Sequence, residues 1–281
     1  MSVIANLYKR LQNEPYWLAS IVITGLILAL RQGGGLQTLE LLAFDHMVRL
    51  QADRGPDPRL LVVEITEEDI RNQSEWPMSD QTLATALTLI EQHNPSAIGL
   101  DIYRDIPQGE GQEALKTALK IPKTVAITGL GMNENDSIPP PPNLPPEQVG
   151  FNDFVIDPDG ILRRSLLFAS VGDEKLYSLA LQLSRKYLET ESIRFHVNSE
   201  ALYLGEAEFL PIDPNSGGYD DVNTAGYQML LNYRSSNWVA RKVTLTELLT
   251  EQVEHGWITD KVVLIGVTAP SLKDFFYTPY S

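Results

Sequence analysis

The sequence predicts an α/β fold: a mixed, mainly parallel sheet flanked by helices, with an antiparallel hairpin section and a transmembrane helix at the N-terminus. Three observations lead there. Residues 58–105 place a short Val/Ile-rich run, an amphipathic segment and a second apolar run in sequence, the pattern of a βαβ crossover between two parallel strands. Further short apolar runs alternate with helical segments to the end of the chain. Residues 16–30 (YWLASIVITGLILAL) carry no charge and almost no polar group.

That apolar run follows Lys9 and Arg10 and is followed by Arg31 and the triplet Gly33-Gly34-Gly35. A span needs about 20 apolar residues; this core is somewhat shorter and gains roughly two positions if Arg31 and its neighbour snorkel. Three readings compete. A buried helix of a soluble protein would show a polar face, and none is visible. A cleaved signal peptide fits the length, but no A-x-A site follows. An uncleaved signal anchor fits best. The positive-inside rule then makes residues 1–15 cytoplasmic, 16–32 the anchor and 36–281 an extracytoplasmic domain. All but one of the 37 acidic residues, and all but three of the 22 basic ones, lie beyond Arg31. Such acidity suits a soluble domain held off anionic lipid.

Residues 36–50 predict an amphipathic helix with Leu39, Leu42, Ala43 and Met47 on its apolar face and Glu40, Asp45 and Arg49 elsewhere, Asp45 and Arg49 pairing one turn apart. Gly55-Pro56 turns into a buried strand over 60–65, closed by an acidic turn at Glu67-Glu68-Asp69. Trp76-Pro77 reads as a packing anchor. Ser79-Asp80 opens a helix with Leu83, Ala84, Ala86, Leu87 and Ile90 on one face, which Asn94-Pro95 stops. A strand over 97–102 carries Asp101 near its carboxyl end. A helix over 112–120 and a strand over 124–128 follow. The proline-rich residues 129–146 predict an exposed, poorly packed loop of polyproline character. Residues 149–170 predict a hairpin about Asp157-Pro158-Asp159-Gly160, with Phe151 and Phe154 in its first strand. Then come a helix over 177–188, a small hairpin pairing 195–197 with 201–204, a polar loop over 213–221, and a strand over 229–233. A short helix over 245–251 capped by Thr244 precedes the last buried strand, 261–267.

A net charge of −15 and scattered basic pairs exclude a nucleic-acid surface, which needs a basic patch. The absence of cysteine excludes a disulfide framework, a thiolate zinc site and a thiol nucleophile. No phosphate loop, dinucleotide fingerprint or nucleophile elbow is present. The four histidines, His46, His93, His196 and His255, lie far apart with no metal-ligand spacing, so no metal and no cofactor are expected. Asp157 and Asp159 begin like a calcium loop, but Pro158 and the lack of later acidic ligands make them a turn.

One constellation points to binding. Thr66, Glu67, Asp101 and Thr268 fall at or just past the carboxyl ends of strands, with Asp274 in the loop that follows, and ligands of open α/β sheets bind at that edge. Asp and Thr are also favoured there as helix caps. Of Arg163 and Arg164, one guanidinium is expected inward, pairing an acid, and the other in solvent.

The words FDHMVRL (44–50), LLVVEITEEDI (60–70), WP (76–77), AIGLDIYRD (97–105), GFNDFVIDPDGILRRSLL (150–167), SLALQL (178–183), LNYR (231–234) and KVVLIGVTAPSLKDFFYTP (261–279) come in the order found in CHASE2 sensor domains. The chain resembles that family over nearly everything after the anchor, and DIYRD and DFFYTPYS resemble its cyanobacterial branch. It departs from the family pattern at Thr66, where Asp is usual, and at Met78, Ser79 and Asp80. The resemblance implies a non-catalytic extracytoplasmic input domain of a bacterial membrane signalling protein. Further spans and an output domain such as a kinase, a cyclase or a caspase-like peptidase normally follow, so the sequence reads as an incomplete protein or a stand-alone input domain. Its partners would be an unknown small ligand or a protein, with homodimerisation possible. The alternatives are an extracytoplasmic hydrolase or carbohydrate-active enzyme pairing Glu67, Asp101 or Asp274, and a structural docking module.

Overall fold

The computed structural model describes residues 15–73, 76–131, 136–172, 174–198, 201–234, 238–273 and 275–281. The described residues form two compact units: those of 15–50 with 213–224, and those of 51–212 with 225–281.

The first unit contains helices α1 (Pro15–Gln32) and α2 (Gln37–Arg49). Among the described residues no single helix is long and apolar enough to cross a membrane; α1 and α2 meet that description only together, across a bend of 86°. The glycine triplet makes the bend. Gly33, Gly34 and Gly35 donate their N–H groups to the last carbonyls of α1, and Gln37 donates back to Gly34. Gly34 has φ +70°, and a Cβ there would come within 2.2 Å of the Asp220 carboxylate. Only glycine fits without strain.

The apolar face of α2 is the exposed one. Leu41, Asp45 and Val48 are buried, whereas Leu39, Leu42 and Met47 are exposed. An apolar stripe identifies a face that avoids water but not what covers it, and the buried stripe here includes an aspartate that periodicity assigns outward.

The second unit is built on a six-stranded sheet. Its strands are β1 (Asp57–Ile65), β2 (Ala97–Asp101), β3 (Thr124–Thr128), β4 (Val149–Phe151), β11 (Ala240–Thr244) and β12 (Val262–Val267), in the order β11-β1-β12-β2-β3-β4. Every pairing in it is parallel. The antiparallel strands stand apart in two three-stranded sheets, so the main sheet is not mixed. In one, β5 (Arg164–Val171) lies between β10 (Tyr227–Leu230) and β6 (Glu174–Tyr177); the other joins β7 (Phe195–Val197), β8 (Leu202–Leu204) and β9 (Ala207–Phe209).

Helices α4 (Asp80–Glu91), α5 (Gln112–Leu119) and α7 (Leu245–Leu249) cover one face of the main sheet, burying Leu61, Val63, Ile65, Ile98 and Leu100 completely. Their starts are chemically explicit: Ser79 accepts from Thr82 N–H, and Thr244 with Glu247 forms a capping box. On the other face lies α6 (Leu179–Thr190), whose Leu179 and Leu183 pack on β2 and β3 while Leu181 joins the core of the small sheets. Two glycines permit this contact. A Cβ on Gly99 would approach Leu183 and Leu264 within 2.8 Å, and one on Gly150 would meet the backbone of Leu179 at 2.7 Å.

Three further expectations change. Glu67-Glu68-Asp69 is not a turn but the first turn of helix α3 (Glu67–Gln73), where carboxylates favour the positive end of the helix dipole. The described parts of the proline-rich loop, 129–131 and 136–146, are better packed than its prolines suggest: Gly129 bridges Ile138, Pro141 is buried, and Leu144 packs on the core. The Asp157–Gly160 turn closes, with Gly160 N–H donating to Asp157 O at 2.8 Å, but it does not join two strands of one hairpin. Phe151 belongs to the main sheet and residue 164 opens β5, linked across the turn by a bridge between Val155 and Arg164. Turn chemistry fixes the reversal without fixing what the flanking runs pair with.

Candidate functional site

A cleft of about 670 Å³ lies on the α6 face of the main sheet. It follows from the helix layout: α6 packs on β2, β3 and β4, leaving Leu60, Val62 and Leu264 of β1 and β12 half-buried. Leu60, Val262 and Leu264 form the floor, Leu179, Leu183 and Tyr187 of α6 one wall, and Phe151, Phe154 and Leu166 the other. The two ends are polar. Asp57 and Arg59 stand at the amino end of β1, bridged at 2.7 Å, with Arg234 3.3 Å from the same carboxylate. Asp101 stands at the carboxyl end of β2, level with Gly266 and Glu64. From Leu60 to Glu64 a strand rises roughly 13 Å, so the polar ends are separated by an apolar middle.

The electrostatics of the two ends differ. The hydrogen bond from Arg59 holds Asp57 down at about 2, against the opposing effect of burial. This end is an ion pair at every physiological pH, with Arg59 reaching solvent. At the other end Asn152 donates to Asp101 at 2.9 Å while accepting from the Tyr103 hydroxyl at 2.7 Å. That relay orients the amide and leaves Asp101 exposed at the cleft mouth.

The expected site residues are not brought together as one group. Asp101 and Arg164 line the cleft. Thr66 instead caps α3: its N–H and hydroxyl both donate to Asp69 Oδ2, at 2.8 and 2.6 Å. Asp69 Oδ1 accepts the N–H and hydroxyl of Thr246, at 2.8 and 2.6 Å, so one buried carboxylate ties the starts of α3 and α7. Burial raises the pKa of Asp69, but the bonds from Thr246 and Thr66 outweigh it and hold the group below the usual range. Glu67 accepts from Ser271 N–H at 2.7 Å, and bonds from Ser271 hold its carboxyl low. Thr268 is exposed and donates its N–H to Ile65 O at 3.1 Å. Asp274 lies outside the described residues.

Neither Arg163 nor Arg164 reaches solvent, contrary to the expectation for one of them; their side chains are 1% and 2% exposed. Asp157 accepts from both, Arg163 Nη1 at 2.8 Å and Arg164 Nε at 2.7 Å. Arg163 also grips Asp159 with two nitrogens, at 2.9 and 2.7 Å, and Arg164 donates to Gln228 at 2.7 Å. The shared carboxylate lies six and seven residues before the two arginines, and Asp159 lies four before Arg163.

Sequence reasoning missed Arg59, Asn152 and Tyr187 as cleft residues. The first two had no motif, and a tyrosine on a helix face looks like core. Among the described residues no group of three or more His, Asp or Glu is placed to hold a metal ion. Chemically, the cleft can bury an apolar body and offer a carboxylate at one end and a guanidinium at the other. Against known proteins, the family model described as CHASE2 domain matches residues 22–281. No curated protein and no solved structure matches the chain.

Proposed function

The chain belongs to the CHASE2 family of extracytoplasmic sensory domains, and from that premise we propose that it is the membrane-anchored input domain of a bacterial signalling protein, without catalysis of its own. Helix α1 is the anchor, with the N-terminus in the cytoplasm and the sheet domain outside. The cleft is the ligand site. Its volume falls in the range of small-molecule pockets, which combine an apolar lining with a few placed polar groups. Its ligand is an elongated, largely apolar small molecule that presents a donor or cation to Asp101 and an acceptor or anion to Arg59. The observation that carries this reading is the apolar cleft floor, where Leu60 and Leu264 are left half-buried between two polar ends.

Ligand binding signals by favouring one of two arrangements of the domain, which requires unequal affinity for them. The cleft is walled on one side by the main sheet and on the other by α6 and β5, so a bound molecule biases how these pack. The lowered pKa of Glu67 speaks against this residue as the acid of a hydrolase, which must hold a proton near neutrality. A reading as a protein-docking module draws support from Phe275 and Tyr277, both 68% exposed.

The test is a thermal-shift screen of small organic molecules on the whole chain in detergent, with Ala180→Trp as control. Ala180 is exposed and lines the cleft, so the indole fills the site without entering the core. A compound that raises Tm for the wild type and not for Ala180→Trp, and whose effect Asp101→Asn weakens, supports the reading. Compounds that stabilise both forms equally would sink the cleft assignment.

A further inference from the structure

We propose that α2 is a membrane-interface foot: it lies flat in the headgroup region and sets the orientation on the bilayer of the unit that holds it. The proposal rests on the reading of α1 as the anchor, and on the geometry of the unit that contains both helices.

At 100° per residue, Leu39, Leu42, Ala43, His46, Met47 and Leu50 fall within an arc of about 140° on α2. Leu39, Leu42, Met47 and Leu50 are 63%, 56%, 60% and 71% exposed. The opposite side carries the buried Leu41, Asp45 and Val48. The helix therefore has one face covered by protein and one apolar face that no described residue covers. No carboxylate enters the exposed arc, because Asp45 points inward and Glu40 is drawn aside by Arg31 at 2.8 Å.

Three observations identify the occupant as lipid. First, the face continues from α1, whose large apolar residues, among them Ile21, Val22, Leu26 and Leu28, are about half exposed or more. Second, the 86° bend puts α2 nearly in the membrane plane when α1 runs along the normal. The bend is braced: besides Glu40, Arg31 reaches Gly217 O at 3.0 Å, and Asp220 N–H donates to Gln37 at 2.9 Å. Third, Arg31 sits at the end of the apolar helix, where a cation snorkels to the headgroups. One apolar face opposite a protein-covered face is what an interfacial helix needs; a spanning helix would show apolar residues all round. Because the chain is strongly acidic, the attachment depends on apolar burial and works on neutral lipid.

The chain has no cysteine, so single-cysteine variants accept one nitroxide each. The full chain is reconstituted in phosphatidylcholine vesicles with labels at Ile23→Cys, Leu42→Cys, Met47→Cys and Thr38→Cys, all exposed positions. Collision with oxygen and with an aqueous nickel complex then reports depth. The expected result is a severalfold higher oxygen-to-nickel ratio at 42 and 47 than at 38, with 23 deeper still. A lipid-shielded 23 with 42 and 47 as open to nickel as 38 would overturn the foot and leave the anchor standing. Nickel access at 23 would overturn the anchor and the foot with it. Shielding of 42 from both reagents, with spin–spin broadening, would assign the face to a second copy and overturn the proposal.

Discussion

Asp157→Ala removes the carboxylate shared by two buried guanidiniums, and its cost can be worked from the contacts. Asp157, Arg163 and Arg164 are almost fully shielded from water, with bonds of 2.8 and 2.7 Å. Breaking a buried ion pair from one side costs about 3–5 kcal/mol, because the remaining charge stays desolvated without its counter-charge. Arg163 keeps its grip on Asp159 and Arg164 keeps Gln228, which places the loss in the lower part of that range, about 3–4 kcal/mol. At roughly 2–4 °C per kcal/mol for a chain of this size, Tm falls by about 6–16 °C. Urea unfolding and calorimetry of the whole chain measure both quantities. Asp159→Ala is the internal control: it belongs to the same turn and binds the same Arg163, but its side chain is 39% exposed, and such a pair contributes about 1 kcal/mol or less. Asp157→Asn, which keeps an acceptor and loses the charge, should fall between the two. If Asp157→Ala costs no more than Asp159→Ala, the guanidiniums do not depend on the buried carboxylate and the reasoning fails.

Asp69→Ala uncaps α3 and α7 together; at about 1 kcal/mol per cap plus the buried bonds it carries, we expect a loss of about 2–3 kcal/mol in urea unfolding, non-additive with Thr246→Ala. Acid should destabilise the chain in a defined window. Asp57, held low by Arg59, and Asp69 and Asp159 all have folded pKa values below their unfolded ones, so the stability they contribute is complete above the unfolded values and is lost as pH falls through the folded ones. For Asp57 that is between pH 3.8 and about 2, and urea midpoints of Arg59→Met should decline less steeply across it. Gly150→Ala should destabilise more than Gly99→Ala. The first drives a Cβ into the backbone of Leu179, whereas the second meets only the ends of Leu183 and Leu264, which can yield into the cleft.

Local chemistry was legible. The strand over 124–128 matches its sequence reading, as do the Ser79 and Thr244 caps and the βαβ unit of residues 58–105, because each rests on neighbours within a few positions. What depended on distant partners was not. The Asp157–Gly160 turn was visible, but nothing local says that Phe151 pairs with β3 while residues 164–171 pair with β10. The apolar stripe of α2 was visible, but not that it faces away from the protein. At the site, Thr66 and Glu67 sit where ligand-binding residues of α/β sheets sit, yet their partners, Asp69 and Ser271, turn them to structural work. Asp101 was singled out from its place at a strand end, and it lines the cleft. Leu60 and Leu264 could not be, since a half-buried apolar residue in a strand has the same sequence signature as one fully buried.

The position of the cleft follows from the order in which the strands are laid down. The crossovers from β1 to β2 and from β2 to β3 place α4 and α5 on one face, and α7 joins them, so that face is closed from Leu61 to Ile65. The other face receives α6 alone among the helices packed on the main sheet's described strands, and α6 arrives only after β4, above the far half of the sheet. The half formed by β1 and β12 is left with whatever β5 and the 151–154 segment cover. The carboxyl edge of that half is fastened by Asp69 and Glu67, while the α6 side is held by the Gly99 and Gly150 contacts and by the arginine network below Arg164. On the proposed reading this division assigns the roles: the β1–α3–α7 side is the fixed frame, and α6 with β5 is the part that a ligand in the cleft displaces. An Asp69 variant should then lower stability while leaving ligand discrimination by Asp101 intact, and an Ala180 variant should do the reverse.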